Sequence, residues 1–214
     1  VYTHTSSPYS LDNISYIQEQ VVDYAISYKP AADQSVHKQK RYFEFPFVNT
    51  TPPRYLVSQV KKRPKGYEQT TYTYLYEGAK SHYLGGGFLG FATITEVANA
   101  DVTTTKVSSY YQLDLKTAGE LKSVNIYKQN EGADAFSYSE VDKVSSTSYQ
   151  YKTNTTGKIY QVYADSIVQS QYEKGALLKT STTSRTINKF GSVTREETKI
   201  VNEKNKADTF TSLT

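Results

Sequence analysis

The sequence predicts an all-β protein built from long antiparallel β-hairpins in a meander, with little or no helix. Three observations carry that expectation. Apolar and polar residues alternate at period two along nearly the whole chain. The large side chains are 21 Tyr and 8 Phe, with no Trp, Met or Cys, and aromatic and β-branched residues fit a pleated, half-buried surface. Turn signals rich in Gly, Pro and Asn recur at hairpin spacing. Hydrophobic residues make up only 37% and the mean hydropathy is -0.63. The 214 residues are enough to bury a core. They read as one β-rich fragment, residues 1–214, with a weak sub-boundary near residues 130–134.

In "LDNISYIQEQVV", Leu11, Ile14 and Val21 could share a helical face, but Ile14, Tyr16 and Ile17 are strand formers, so a strand is expected. In "VVDYAISYKP", Val22, Tyr24, Ile26 and Tyr28 alternate until Pro30 stops the strand. In "RYFEFPFV", Pro46 interrupts the cluster of Tyr42, Phe43, Phe45 and Phe47 and marks an edge or crossing segment. "YLVSQVKK", the turn "RPKG" and "YEQTTYTYLYEG" form a hairpin. Its second arm carries Tyr72, Tyr74 and Tyr76 on one face and Thr71, Thr73 and Leu75 on the other. "FATITEV", "VTTTKVSSYYQLDL" and "LKSVNIYKQ" come next, separated by the turns "ANAD" and "KTAGE". Longer arms complete the chain: "AFSYSEVDKVSSTSYQYKT", with Phe136, Tyr138, Glu140 and Val144 on one face, then "KIYQVYADSIVQSQY", "LLKTSTTSRTIN" and "VTREETKIVN". They are joined at "NTTG", "EKGA" and "KFGS". The tail "EKNKADTFTSLT" is polar and frays or ends in a short strand.

Composition excludes several kinds of chemistry. Without cysteine there is no disulfide, thiolate site or cysteine nucleophile. A net charge of +4, from 25 basic and 21 acidic residues, is too balanced to imply nucleic acid. No apolar run approaches the roughly 18 residues of a membrane span. The chain begins at Val1 and lacks Met, as expected of a piece of a longer polypeptide. His4, His37 and His82 stand apart without ligand spacing, so each reads as a polar or half-exposed histidine and no metal is expected. Glu196 and Glu197 are neighbours on a strand and point to opposite faces, while Asp165 and Glu173 meet only if the fold brings them together. No serine lies in G-x-S-x-G. No catalytic residue and no cofactor is therefore assigned.

Two features invite a binding role. Lys61, Lys62, Arg63 and Lys65 cluster at a hairpin tip, where charge is solvated and discourages edge pairing, or holds phosphate or an anionic glycan. Tyr72, Tyr74 and Tyr76 form a ladder that packs against a neighbour or stacks on a ligand. A third feature is "SHYLGGGFLGF", where Gly85, Gly87 and Gly90 meet the G-x-G-x-x-G spacing of a dinucleotide turn. That turn needs a helix after it, and the residues after Gly90 alternate as a strand. A bend between strands is expected instead, with Phe88 and Phe91 buried and Leu89 helping to anchor it.

"GGGFLGF", residues 85–91, resembles the G-R-G-F-L-G-F signature of Rhs-related, SpvB-like proteins and of the B component (TcdB-like) of insecticidal Tc toxin complexes. "SYKPAADQSVH" is similar to that family's Y-x-P-L-T-D-x-S-V-Y motif at Tyr28, Pro30, Asp33, Ser35 and Val36. "RYLVSQV" resembles the strand that comes after that motif. "YYQLDLKTAGELKSVNIY" resembles Y-x-Q-D-F-P-L-x-G at Tyr111, Gln112 and Gly119, and "INKFGSVTREETKIV" a degenerate YD-type repeat at Gly191 and Thr194. The resemblance runs over roughly residues 22–200. Gly86 stands where the signature has arginine, Ala31 and Ala32 replace Leu-Thr, His37 replaces Tyr, and the repeat lacks its Tyr-Asp.

This resemblance implies a structural segment of a secreted or bacterial cell-surface toxin-like protein. It would form part of a β-sheet shell that encloses or presents a toxic C-terminal region. The implied partners are other regions of the same parent polypeptide (a β-propeller, YD repeats, the enclosed toxic segment) and toxin complex components. It attaches no catalytic residue to the glycine signature. The alternatives are a glycan- or host-surface-binding β module using the tyrosine ladder and the basic tip, and, third, a glycosidase-like enzyme.

Overall fold

The computed structural model describes residues 2–5, 13–18, 21–40, 44–99, 102–129, 136–156, 159–202 and 207–213. The chain is all-β. Its strands are β1 (Tyr2–Thr5), β2 (Asn13–Gln18), β3 (Val22–Pro30), β4 (His37–Lys38), β5 (Phe47–Asn49), β6 (Tyr55–Pro64), β7 (Thr70–Glu77), β8 (Lys80–His82), β9 (Gly87–Phe88), β10 (Thr93–Asn99), β11 (Thr103–Tyr110), β12 (Leu121–Gln129), β13 (Lys143–Thr156), β14 (Ile159–Glu173), β15 (Ala176–Ile187), β16 (Val193–Asn202) and β17 (Ala207–Leu213). The segment with a competing helical pattern is strand β2 where it is described. Leu11, Tyr42, Phe43, Ala100, Asp101, Gly157, the boundary at residues 130–134 and residues 203–206 of the tail lie outside the described residues. The contacts divide the chain into two units, Val1–Lys106 with Lys128–Ser137, and Val107–Tyr127 with Tyr138–Thr214.

The first unit contains an antiparallel meander in the order β1-β2-β3-β6-β7-β10, with the short β4 lying parallel to β7, and a separate three-stranded sheet β5-β8-β9. The two sheets share one long hairpin. Its outgoing arm is β7 and then β8, and its returning arm is β9 and then β10. Glu77 faces Thr93 in the first sheet and Ser81 faces Phe88 in the second. Between those pairs, residues 78–80 oppose residues 89–92, so the returning arm carries one residue more. Such a bulge bends a hairpin, and the amide of Ala92 reaches the carbonyls of both Glu77 (2.9 Å) and Gly78 (3.2 Å). Each arm bends at a glycine in the left-handed region, Gly78 at φ +66 and Gly90 at φ +87, where a side chain costs about 1–2 kcal/mol. Gly78 is also closely packed: a Cβ there would stand 3.0 Å from the Ala92 Cβ.

The core of this unit sits at that bend. Ala31, Val36 and Leu56 are buried together, with Tyr76 and Phe91 packed on them. The ring of Phe91 lies 4.9 Å from Tyr76, 5.6 Å from Phe88 and 5.6 Å from His37. The segment "KPAADQSVH" delivers Val36 and His37 through a tight loop. The amides of Val36 and His37 donate to the Asp33 carbonyl at 3.1 and 3.0 Å, and the Asp33 carboxylate accepts from the Ser35 amide at 2.8 Å. The Ser35 and Lys29 groups around it hold the Asp33 carboxyl below its ordinary range. The chain then runs beside β7, where the Tyr76 amide donates to Val36 O (2.8 Å) and the Gly78 amide to Lys38 O (2.9 Å). Leu75, Thr93, Thr95 and Val97 form the buried face of β7 and β10. Tyr72, Tyr74 and Tyr76 lie on the opposite face and are half-buried. The glycine stretch has no helix, as expected, but its buried residue is Leu89, whereas Phe88 and Phe91 are half-buried. The two rings meet edge to face, and the Arg54 guanidinium sits over the Phe88 ring, 4.8 Å from its centre.

The second unit holds β12-β13-β14-β15-β16-β17 in chain order, and its middle strands are 14, 15 and 12 residues long. Both faces are rich in Ser and Thr. On β15, Ser181, Thr183 and Arg185 alternate with Thr180, Thr182 and Ser184, and neither row is fully buried. Cross-strand pairs replace a core: Thr183 with Thr198 (2.9 Å), Arg185 with Glu196 (2.6 Å) and Lys152 with Asp165 (2.9 Å). The first two are directly opposite pairs, of the kind that contributes roughly 0.2–1 kcal/mol. A sheet polar on both sides specifies register weakly, so its turns and aromatic corners fix it. Lys174 and Gly175 make a two-residue hairpin turn between Glu173 and Ala176. At the next turn the Asn188 side chain accepts the amides of Phe190 (2.9 Å) and Ser192 (3.1 Å).

Two expected strands are shorter than their alternation suggests. The strand after "ANAD" ends at Tyr110, because Asp114 closes a turn by accepting the Lys116 amide and the Thr117 hydroxyl, both at 3.2 Å. The strand expected from Phe136 begins only at Lys143. Glu140–Asp142 is instead a 3-10 turn, closed by the Ser139 hydroxyl donating to the Asp142 carboxylate at 2.9 Å. That turn builds an aromatic corner. Tyr127 is buried, stacks on Tyr138 at 4.4 Å and donates to Glu140 at 3.3 Å. Lys143 pairs with Glu140 and stands 5.7 Å from the Tyr127 ring and 5.6 Å from Tyr172. Burial first, then the Glu140 charge, push the Tyr127 hydroxyl far above its ordinary range.

The two corners are open to measurement. Gly90→Ala loses about 1–2 kcal/mol by its left-handed backbone alone. Gly78→Ala loses more, because it adds the contact with Ala92; urea unfolding of both variants ranks them, and equal losses contradict the packing at the bend. Tyr127 is one alkaline-sensitive group. Its folded pKa lies above the ordinary 10.0, so the unfolded chain ionises first and stability falls as pH rises past 10. Unfolding midpoints between pH 8 and 11 decline less steeply in Tyr127→Phe than in the parent chain.

Candidate functional site

The structure separates the residues of the expected ligand surface. Opposite residues in a ladder share a face, and Tyr72 faces Val60 on β6 and Ala98 on β10. Tyr74 faces Glu96, and Tyr76 faces Ile94. Tyr76 is already engaged by Phe91. Tyr74 hydrogen-bonds the Glu96 carboxylate, and burial together with that charge raises its pKa far above the ordinary tyrosine value. The ladder is thus held within the sheet by its own neighbours. Of the basic cluster, Lys62 lies opposite Thr70 and shares the face of Tyr72. Lys61 and Arg63 point to the other face, opposite Ala25 and Asp23 of β3. Lys65 is in the exposed turn, its amide bonded to Val21 O at 2.9 Å. The cluster that is continuous in sequence is therefore two half-clusters on opposite faces, because side chains alternate along a strand.

Residues 83–86, with Gly85 and Gly86 at their end, form the turn between β8 and β9, and Gly87 opens β9. The Gly86 amide donates to His82 Nδ1 at 3.2 Å and the Leu89 amide to Lys80 O at 2.8 Å. With these amides engaged and β10 coming after Gly90, the stretch lacks the free helix N-terminus that holds a pyrophosphate. Its geometry is that of a bent hairpin. Gly86 itself is exposed in this turn.

No catalytic constellation assembles among the described residues. His37, expected as a polar or half-exposed residue, is 4% exposed. Its Nδ1 bonds Ala31 O at 2.9 Å, so that nitrogen carries the proton. His82 lies against Phe47 at 5.3 Å. The side chain of His4 lies outside the described residues. Glu196 and Glu197 point apart as expected, each taken by its own arginine, Arg185 and Arg195, at 2.6 Å. Asp165 and Glu173 lie eight residues apart on β14, about 26 Å at the rise of a strand, so they form no acid–base pair. Lys80 is buried with its ammonium on Asn49 Oδ1 at 2.9 Å, and burial lowers its pKa. Among the described residues no three His, Asp or Glu side chains group to hold a metal ion, and no helix is long and apolar enough to cross a membrane.

Sequence patterning does not reveal a further group on the face of Lys61 and Arg63. Tyr16 faces Ala25, Ala25 faces Lys61, and Asp23 faces Arg63. Their side chains line a notch of about 190 Å³ together with Gln69. The signal is hidden because these residues come from three strands, and their register is not visible in the linear chain.

No family model and no curated protein matches this sequence. Solved structures do match its fold. The chain superposes on part of a Photorhabdus luminescens Tc holotoxin pore with a TM-score of 0.63 and 9% identity, over 88% of this chain and 12% of the other. Crystal structures of TcdB2-TccC3, and of TcdB2-TccC3 without its hypervariable C-terminal region, align over 94% of this chain and 15% of theirs. Each has 10% identity, and their TM-scores are 0.53 and 0.51. The chain spans 12% to 15% of the length of these structures. At such identities the likeness is one of architecture: the chain has a Tc toxin-related fold.

Proposed function

We propose that this chain is a non-enzymatic structural segment of a secreted or cell-surface toxin-like protein. It would contribute a stretch of β-sheet wall that encloses or presents a toxic C-terminal region, in the manner of the Rhs-related and SpvB-like proteins its motifs resemble. Its partners are the remaining parts of the same polypeptide, including a propeller, YD repeats and the enclosed segment, and other toxin complex components. One observation carries this reading: the long strands β13 to β16 form a sheet whose two faces are both rich in polar side chains and, Ser170 aside, partly exposed where they are described. A sheet of that kind has no core of its own to face and suits a wall between two compartments. The Tc toxin-related fold supports the same reading. So do three of the motifs, which supply the bend at Gly90, the loop at Asp33 and the turn at Gly191.

Thr182 and Thr183 test the wall. They are neighbours on β15, so they face opposite sides of the sheet, and the segment contains no native cysteine. In the full-length parent protein, single Thr182→Cys and Thr183→Cys variants are labelled with a maleimide and read by peptide mass spectrometry. A closed shell protects one position and leaves the other reactive, with labelling rates at least tenfold apart. Equal rates contradict an enclosing wall, and catalytic turnover by the 214-residue chain contradicts the non-enzymatic role.

A further inference from the structure

We infer that the notch on the first unit's sheet is a binding site for a carboxylate-bearing sugar ring, a property separate from the scaffold role. Ala25 creates the space. It is a small residue flanked across the sheet by Tyr16 on β2 and Lys61 on β6. One row further along, Asp23 and Arg63 face each other, and Gln69 closes the end by accepting from Arg63 Nη2 at 3.0 Å. The notch of about 190 Å³ is smaller than the roughly 300 Å³ at which pockets for drug-sized ligands begin. It therefore admits a single ring rather than an extended ligand.

Three chemistries converge there. Lys61 and Arg63 are exposed cations, and a guanidinium pairs with a carboxylate through two parallel hydrogen bonds. Asp23 supplies the opposite character. Its Oδ1 is buried without a hydrogen-bond partner, and the carboxylate lines the notch, where it can only accept a hydrogen bond and so calls for a donor such as a ligand hydroxyl. Tyr16 provides an aromatic wall with a polar tip. A bare phosphate meets the two cations but is repelled by Asp23, and a neutral sugar leaves the cations unused. A ring with both hydroxyls and a carboxylate satisfies all three. The site differs from the tyrosine ladder, which lies on the opposite face.

The test is chemical-shift titration of the 214-residue chain with methyl glucuronide, methyl glucoside and inorganic phosphate. Methyl glucuronide is expected to shift the amides of Tyr16, Ala25 and Gln69 saturably, at least tenfold more tightly than either other probe. Ala25→Leu, which fills the notch without altering charge, removes this binding, and Arg63→Gln weakens it at least tenfold. Lys62→Ala, on the opposite face, leaves it intact. Absence of saturable glucuronide binding overturns the inference. Binding that persists in Arg63→Gln, or that phosphate matches, overturns it as well, and marks a diffuse basic surface.

Discussion

The packing of Phe91 at the bend of the β7–β10 hairpin is the contact on which the first unit depends. A hairpin that leaves one sheet for another must turn both arms at once. Gly78 and Gly90 permit the turn, and the extra residue on the returning arm sets its direction. Backbone freedom alone does not hold a bend in place. Phe91 does so by touching Tyr76 on the outgoing arm, Phe88 on the returning arm and His37 from the loop that crosses beside them. Val36, Ala31 and Leu56 complete the cluster, and a buried side chain of Val or Leu size contributes about 1.5–3 kcal/mol. This small core joins three segments that are distant in sequence.

The second unit solves the opposite problem. Its sheet has polar side chains on both faces, so no burial pattern selects its register. Selection falls to local devices: the Lys174–Gly175 turn, the Asn188 cap, and corners in which tyrosines reach across strands. The Tyr111 hydroxyl donates to Tyr149 O at 3.0 Å, and the Tyr151 hydroxyl to Leu121 O at 3.1 Å. Abundant tyrosine thus acts here less as core filler than as a set of cross-braces. A sheet with polar side chains on both faces needs that kind of internal bracing.

Much of this fold is legible in the linear chain, and the exceptions have physical causes. Period-two alternation finds the long strands because it reports directly on side-chain direction. Context separates the glycine stretch from a nucleotide turn, since no helical pattern begins after Gly90. The 3-10 turn at Glu140–Asp142 escapes notice because alternation continues through it and hides the cap of Ser139 on Asp142. His37 reads as a surface residue because its burial comes from the Asp33 loop, a tertiary feature. The basic run looks like one cluster until strand geometry divides it, and the notch over Ala25 needs the register of β2, β3 and β6 to become visible.

The claim that one aromatic contact joins the loop, the bend and both sheets is tested most directly by amide hydrogen exchange on Phe91→Ala. Protection is predicted to fall together at Val36 and His37, at Tyr76 and Gly78, and at Leu89 and Ala92, because all of these amides are bonded around the same cluster. A loss of protection limited to Leu89 and Ala92, with Val36, His37 and Tyr76 unchanged, would contradict the account.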